Sequence, residues 1–305
     1  MISVGLQTLY GKLYQLSPRE VTARTVRGVN GLGADVTLER KAVRPLCRNR
    51  GFYPFRSDNA DAWVIFPYDV DGDDATEILW PDFKRRFPKA AAYLEDNRTT
   101  LKKAVEVPTG RDRWHLYTRP QNLAVQARAK VLFPMTIEDT AATVDASGDV
   151  YQDNVNVNSL SVPSGGIDLV AIAAVFNSTL FSALARLKAG LNDSGWRKFN
   201  RQFAELVPFP FAALEKSPIA KQLSKLGGVI TAQQDQLRHA QGEGQRQAVR
   251  AMLSSLWYQL DAAVEQLYGL TDEQRLVVAR YPRRVDRVEL PLRADGATEQ
   301  SQDED

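Results

Sequence analysis

The spacing of apolar residues changes at Ser217, and this change constrains the fold more than any other feature of the sequence. From there, leucine and isoleucine recur every three, four or seven residues until Gly242 and Gly244 interrupt them. The same spacing returns between Val249 and Leu267. It places apolar side chains on one face of a helix. Residues 216–290 are therefore predicted to hold an antiparallel helical hairpin with a C-terminal extension. Its apolar seam either packs on itself or binds a partner.

The preceding residues, 1–215, show short strand-like runs, turns and two helical stretches. Apolar runs and period-two alternation predict strands, whereas spacings of three and four predict helices. On this basis strands are expected at 62–68, 113–119 and 150–162, and helices at 81–103 and 168–187. The sequence thus predicts an α+β fold, in which an irregular, mostly antiparallel sheet with packed helices precedes the hairpin.

The rarest residue types exclude several classes of site. The 305 residues include one cysteine and two histidines, so an internal disulfide is excluded and a zinc site is not expected. No apolar run matches a membrane span, and no secretory signal begins the chain, so we expect a cytoplasmic protein with no membrane partner. The last residues, 291–305, are acidic and are predicted to form a disordered tail.

Charge is unevenly distributed, although the net charge is only +2. Residues 1–50 carry nine Lys and Arg against three acids, and residues 84–130 carry twelve against four. Residues 57–83 hold eight acids, and residues 131–180 hold six acids and no Lys or Arg. Segregated charge creates local fields that a net value conceals. The basic stretches are either DNA-binding surfaces or simply solvated faces.

Short segments in a fixed order resemble a known family. They are Gly5-Leu6-Gln7-Thr8, Ile65-Phe66-Pro67-Tyr68-Asp69, the WHLYTRPQ segment at 114–121, and Val175-Phe176-Asn177-Ser178 leading to Val207-Pro208-Phe209-Pro210. In that order they resemble the TaqI-like C-terminal specificity domain of adenine-specific DNA methyltransferases and fused restriction–modification enzymes. The resemblance covers roughly residues 1–215, which we expect to form a DNA target-recognition domain.

The resemblance implies partners and a division of labour. A catalytic methyltransferase domain or subunit, which carries S-adenosylmethionine, would join this module on double-stranded DNA while the target adenine is flipped out of the duplex. The module itself would need no cofactor. It would be either a separate specificity subunit or the C-terminal piece of a longer enzyme. A role in restriction–modification or phage defence follows, and the alternative is a protein-interaction subunit of a phage-defence complex that acts through the hairpin.

Catalytic motifs are missing from the sequence. Methylation of an amine in this family uses an Asn/Asp-Pro-Pro-aromatic tetrapeptide, which does not occur here. A lone G-x-G at Gly31 and Gly33 is a weak nucleotide signal. Glu39-Arg40-Lys41 lacks a well-spaced second acid for a metal-dependent nuclease. We therefore expect no enzymatic activity from this chain on its own.

Base-reading candidates lie in two alternating stretches. A strand at 113–119 would place arginine, histidine and tyrosine on one face, and these side chains suit base edges and phosphates. The candidates here are Arg111, Arg113, His115, Tyr117, Arg119, Gln121 and Asn122. Asn154, Asn156 and Asn158 would form a second polar ladder, with Asn154 and Asn156 as readers. Either stretch is alternatively an ordinary solvated face.

Phosphate candidates come from the basic stretches. Phosphate contacts position a protein on DNA without conveying sequence. The candidates are Lys102, Lys103, Arg44, Arg48, Arg50, Arg197 and Lys198.

Overall fold

The computed structural model describes residues 1–48, 52–56, 60–153, 156–162, 166–191 and 196–288. The predicted acidic tail at 291–305 lies outside these ranges, as do Arg50 and Asn154. The first part of the chain forms short strands and a helical turn. They are β1 (Ile2–Val4), α1 (Gly11–Tyr14), β2 (Gln15–Val21), β3 (Thr25–Asn30), β4 (Asp35–Glu39), β5 (Val43–Cys47), β6 (Ala62–Ile65), β7 (Tyr68–Asp71) and β8 (Asp74–Glu77).

The helix predicted at 81–103 is divided into three: α2 (Trp80–Arg86), α3 (Pro88–Asp96) and α4 (Arg98–Ala104). The first break is at Phe87, whose φ of −135° and ψ of 67° are not helical. Proline disfavours the helical conformation in the residue before it, so Pro88 explains this break. The prediction of a single helix was therefore wrong, although the apolar residues expected to face inward do so: Phe87, Leu94 and Leu101 are buried.

The next elements are mainly strands. They are β9 (Lys130–Pro134), β10 (Thr136–Ile137), β11 (Thr143–Asp145), β12 (Tyr151–Gln152) and β13 (Val157–Leu160). The strand predicted at 150–162 is thus two short strands, and Asn156 lies in a turn between them. The strand predicted at 113–119 is wrong, because residues 111–115 form a turn and no regular strand follows before Arg119.

The apolar helix predicted at 168–187 is bent. It consists of α5 (Leu169–Phe176) and α6 (Thr179–Lys188), whose axes differ by 66°. Ser178 is extended and its side chain accepts a hydrogen bond from the backbone N–H of Phe181, which caps α6. The Asn177 side chain exchanges two hydrogen bonds with the backbone of Ala142, at 2.6 and 3.0 Å. Asn177 and Ser178 therefore form the bend between α5 and α6.

Short elements lead to the hairpin. They are β14 (Gly190–Leu191), β15 (Arg197–Lys198), α7 (Arg201–Ala204) and α8 (Phe211–Lys216), followed by α9 (Ile219–His239), α10 (Glu243–Leu267) and α11 (Asp272–Ala279). The predicted hairpin is confirmed, and Gly242 turns the chain with a φ of +87°. Its seam packs on itself and also against α5, so Leu223, Leu253 and Leu260 are fully buried.

The sheets are antiparallel except for one pairing. Their strand orders are β12-β5-β6-β2-β3-β4, β1-β13-β9-β11, β10-β15-β14 and β7-β8, and only β12 and β5 run parallel among these pairs. One core lies between the six-stranded sheet, α2–α4 and residues 114–123. A second core joins β9, α5 and α6 to the hairpin. The predicted α+β class is confirmed.

Candidate nucleic-acid interface

Two side chains predicted to face DNA lie instead in the first core. His115 is fully buried and Tyr117 is 2% exposed. The His115 ring nitrogen Nε2 lies 2.9 Å from the carbonyl oxygen of Ile78, and burial lowers the pKa of the imidazole to about 4. Tyr117 donates its hydroxyl hydrogen to the carbonyl of Ile65, and its backbone N–H donates to the hydroxyl oxygen of Tyr68. Neither His115 nor Tyr117 is available to a duplex in this structure.

Arg113 belongs to a set of ion pairs around the β7–β8 hairpin. Three arginines from the basic stretch meet acids of this hairpin in pairs of 2.5–2.6 Å: Arg86–Asp69, Arg113–Glu77 and Arg128–Asp73. All three pairs are partly exposed, so each adds little stability. They show that part of the charge segregation in the sequence is matched within the chain.

Arg119 lies at a different place, beside the first segment of the chain. Its backbone forms an antiparallel bridge with Gln7, and the Gln121 backbone N–H donates to the carbonyl of Arg119. The Asn122 side chain donates to the carbonyl of Val4 at 3.3 Å. The backbone of Asn122 is left-handed, with a φ of +56°, which asparagine tolerates better than most residues. An arginine and three amides thus gather near the N-terminus.

Asp153 extends this polar group. Its backbone bridges Leu6, next to Gln7, in parallel orientation. The carboxylate accepts hydrogen bonds from Gln15 Nε2 at 3.3 Å and from Asn156 Nδ2 at 2.9 Å. We call this polar group the amide surface; its members are Gln7, Gln15, Arg119, Gln121, Asn122, Asp153 and Asn156.

The basic strand β15 is connected to the amide surface through Met135. The backbone N–H of Met135 donates to the carbonyl of Asn156 at 2.8 Å, and its own carbonyl accepts from Phe199 at 2.7 Å. The following strand pairs Thr136 with Lys198. Lys198 is exposed, whereas Arg197 is half-buried. Backbone hydrogen bonds therefore connect a strand that carries two cations to Asn156.

The remaining candidates divide by exposure. Lys102, Lys103 and Arg111 are exposed, so they can contact phosphates. Arg48 is bound to the carboxylate of Asp61 at 3.0 Å, with 16% of its side chain exposed. Arg44 is half-buried and donates to the carbonyls of Lys41 and Val43.

The predicted asparagine ladder does not exist as one face. Asn158 is fully buried and donates to the carbonyl of Phe199 at 3.0 Å, whereas Asn156 is half-buried at the surface. Asn154 lies outside the described residues. Sequence reasoning did not select Gln7, Gln15 or Asp153, and for Gln7 the only available signal was its place in the Gly5–Thr8 segment.

Two other kinds of site, a metal site and a membrane span, find no support in the described residues. In the described part of the chain, no group of three or more His, Cys, Asp or Glu side chains is arranged to hold a metal ion. Cys47 is buried. No single described helix has the length and apolar composition to cross a membrane. The bent pair α5 and α6 meets that test only when the two are taken together.

Comparison with known proteins gives a partial match to one restriction and methyltransferase enzyme. The chain is 26% identical over 137 residues to the type II restriction enzyme and methyltransferase RM.Eco57I of Escherichia coli. The match covers 40% of this chain and 13% of that protein. No protein-family model matches the chain. The chain therefore has a weak, partial similarity to a restriction and methyltransferase enzyme.

Proposed function

We propose that this chain is the DNA sequence-recognition part of a SAM-dependent, adenine-specific methyltransferase of a restriction–modification or phage-defence system. The partial similarity to a type II restriction enzyme and methyltransferase supports the general class. Catalysis and S-adenosylmethionine binding belong to a partner domain or subunit, since the sequence lacks the Asn/Asp-Pro-Pro-aromatic motif.

The observation that carries the proposal is the contact between segments that are distant in the sequence. Gln7 of the first segment bridges Arg119 of the third, and Tyr117 of the third binds the backbone of Ile65 in the second. Tyr117 is buried, and Arg119, two residues later, is exposed at the surface. These contacts support the proposal, because three of the segments that resemble the family lie against one another.

The chemistry of the amide surface suits base edges. Glutamine and asparagine can pair with adenine through two hydrogen bonds in the major groove, and arginine can do the same with guanine. Exposed cations outside this surface would hold the phosphate backbone and set the register of the protein on the duplex. These phosphate contacts are assigned to Lys102, Lys103, Arg111 and Lys198.

A comparison of variants tests the assignment of Arg119. Arg119→Ala should relax base preference at one or two positions, with a loss of discrimination of roughly 1–3 kcal/mol for one bidentate contact. Lys102→Ala should weaken binding to all sequences about equally, because a phosphate contact carries no sequence information. Selection of binding sites from randomised duplexes measures both effects.

The matched control is Arg280→Ala, which removes an exposed arginine next to α11, away from the amide surface. It should leave both preference and affinity unchanged. If Arg119→Ala keeps the parent's sequence preference and loses only general affinity, Arg119 holds phosphate and is not a base reader. If the wild-type chain selects no sequence at all, the proposed function is wrong.

A further inference from the structure

Asp153 and its two amide partners form a small hydrogen-bond network in which both amides donate to the carboxylate. The carboxylate oxygen Oδ1 lies 3.3 Å from Gln15 Nε2, and Oδ2 lies 2.9 Å from Asn156 Nδ2. Gln15 begins β2, whereas Asn156 lies in the turn before β13. One carboxylate therefore joins two polar side chains that come from opposite ends of the recognition domain.

The chemistry of the carboxylate determines which way both amides point. An ionised carboxylate only accepts hydrogen bonds, so each amide must turn its NH2 group toward Asp153. The carbonyl oxygens, Gln15 Oε1 and Asn156 Oδ1, then point away from it. In the described ranges neither oxygen accepts a hydrogen bond, and both side chains are half-buried. Each amide keeps one N–H and its oxygen for another partner.

Backbone hydrogen bonds hold the segments around Asp153 together. The Asp153 N–H donates to the carbonyl of Cys47 at 3.0 Å, and the Leu6 N–H donates to the carbonyl of Gln152 at 2.7 Å. A Cβ atom at Gly5 would lie 2.3 Å from the same Gln152 oxygen, so only glycine allows this approach. The first segment and residues 152–153 are thus locked together, which gives Asp153 a defined position.

We propose that Asp153 is a positioning residue that orients Gln15 and Asn156 to read adenine. This inference rests on the proposed function. An amide with a free oxygen and a free N–H matches the N6 amino group and the N7 acceptor of adenine in the major groove. Asp153 removes the freedom of each amide to flip, and a flipped amide would present a donor to the N6 amino group. Gln15 and Asn156 are thus specificity residues, and Asp153 acts through them.

The test uses the full chain and its own selected duplex. In that duplex, purine replaces one adenine at a time, which removes the N6 amino group and leaves N7. For wild type, at least one replacement should weaken binding on the order of 10-fold, because it removes one of the two hydrogen bonds and leaves the amide oxygen without a donor. Asp153→Asn, whose side chain can face either amide with a donor or an acceptor, should bind both duplexes within a few-fold of each other.

Control variants separate this role from a structural one. Gln15→Ala and Asn156→Ala should each lose discrimination between adenine and purine at one position, and they carry the test if Asp153→Asn does not fold. Asp35→Asn, which breaks the exposed pair with Arg19, should behave as wild type.

Two failures are distinguishable. Wild type that binds no duplex with sequence preference overturns the proposed function. Wild type that has a sequence preference but is indifferent to every purine replacement overturns the inference alone. The inference is also overturned if the Asp153, Gln15 and Asn156 variants discriminate between adenine and purine as well as wild type does.

Discussion

Removal of one partner from the buried ion pair between Lys130 and Asp145 should lower the free energy of unfolding by several kcal/mol. The Lys130 Nζ atom lies 2.6 Å from the carboxylate, and the two side chains are 0% and 4% exposed. Lys130 also donates to the carbonyl of Gln126 at 2.7 Å. The same carboxylate accepts from the backbone N–H groups of Gly148 and Val150. The pair therefore shapes the loop that leads to β12 and Asp153.

Lys130→Met is the informative change, because it keeps an apolar stem of similar length and removes the ammonium group together with its hydrogen bonds. It leaves a buried carboxylate without its counter-charge, which typically costs about 3–5 kcal/mol. The exposed pair Arg85–Asp82 has the same separation, 2.6 Å, but side-chain exposures of 75% and 59%. Arg85→Met should therefore cost at most about 1 kcal/mol. Burial is the property that differs most between the two.

Urea unfolding followed by far-UV circular dichroism gives the free energy of unfolding for each variant. We expect Lys130→Met to lower it several times more than Arg85→Met does. If the two variants lose similar amounts, or if Lys130→Met lies within about 1 kcal/mol of wild type, Lys130 and Asp145 are not desolvated together, and the assignment of this pair is refuted.

Two further predictions concern the cores. Leu260→Ala should lower the free energy of unfolding by roughly 2–5 kcal/mol, because Leu260 is fully buried in the hairpin seam; a small loss in urea unfolding would contradict a packed seam. Burial lowers the pKa of His115 to about 4, below its ordinary value of 6.5, so the unfolded chain takes up the proton first as the pH falls. Stability should therefore decrease from about pH 6.5 towards pH 4, by up to about 3 kcal/mol. His115→Gln should remove that part of the pH dependence. If the variant and wild type show the same dependence of unfolding free energy on pH, His115 is exposed to solvent in the folded protein.

Local sequence patterns correctly predicted those elements whose structure depends mainly on the spacing of neighbouring residues. The hairpin followed from helical spacing around Gly242, and the apolar run at 62–68 contains the buried strand β6. The stretch at 113–119 failed because alternation assumes that polar side chains face water. His115 Nε2 and the Tyr117 hydroxyl instead bond to the carbonyls of Ile78 and Ile65, and residues 114–117 are all buried.

The candidate site could be predicted only in part. Arg119, Gln121, Asn122 and Asn156 were selected from residue type and position, and they lie on the amide surface. Gln15 and Asp153 were not selected, because they meet only after residues 138 positions apart are brought together. The pairing of Arg113 with Glu77 depends on tertiary contact in the same way. Stretches of like charge in the sequence show where charged side chains are, but they do not show which of these side chains form ion pairs in the fold.

The most direct test of DNA recognition is the salt dependence of duplex binding by the purified full chain, measured by fluorescence anisotropy. Each phosphate contact releases counterions and contributes roughly 0.9 to the slope of log affinity against log salt. The exposed candidates Lys102, Lys103, Arg111 and Lys198 therefore predict a linear fall with a slope of about 3–4. A slope near zero, or no measurable binding at low salt, would contradict the account.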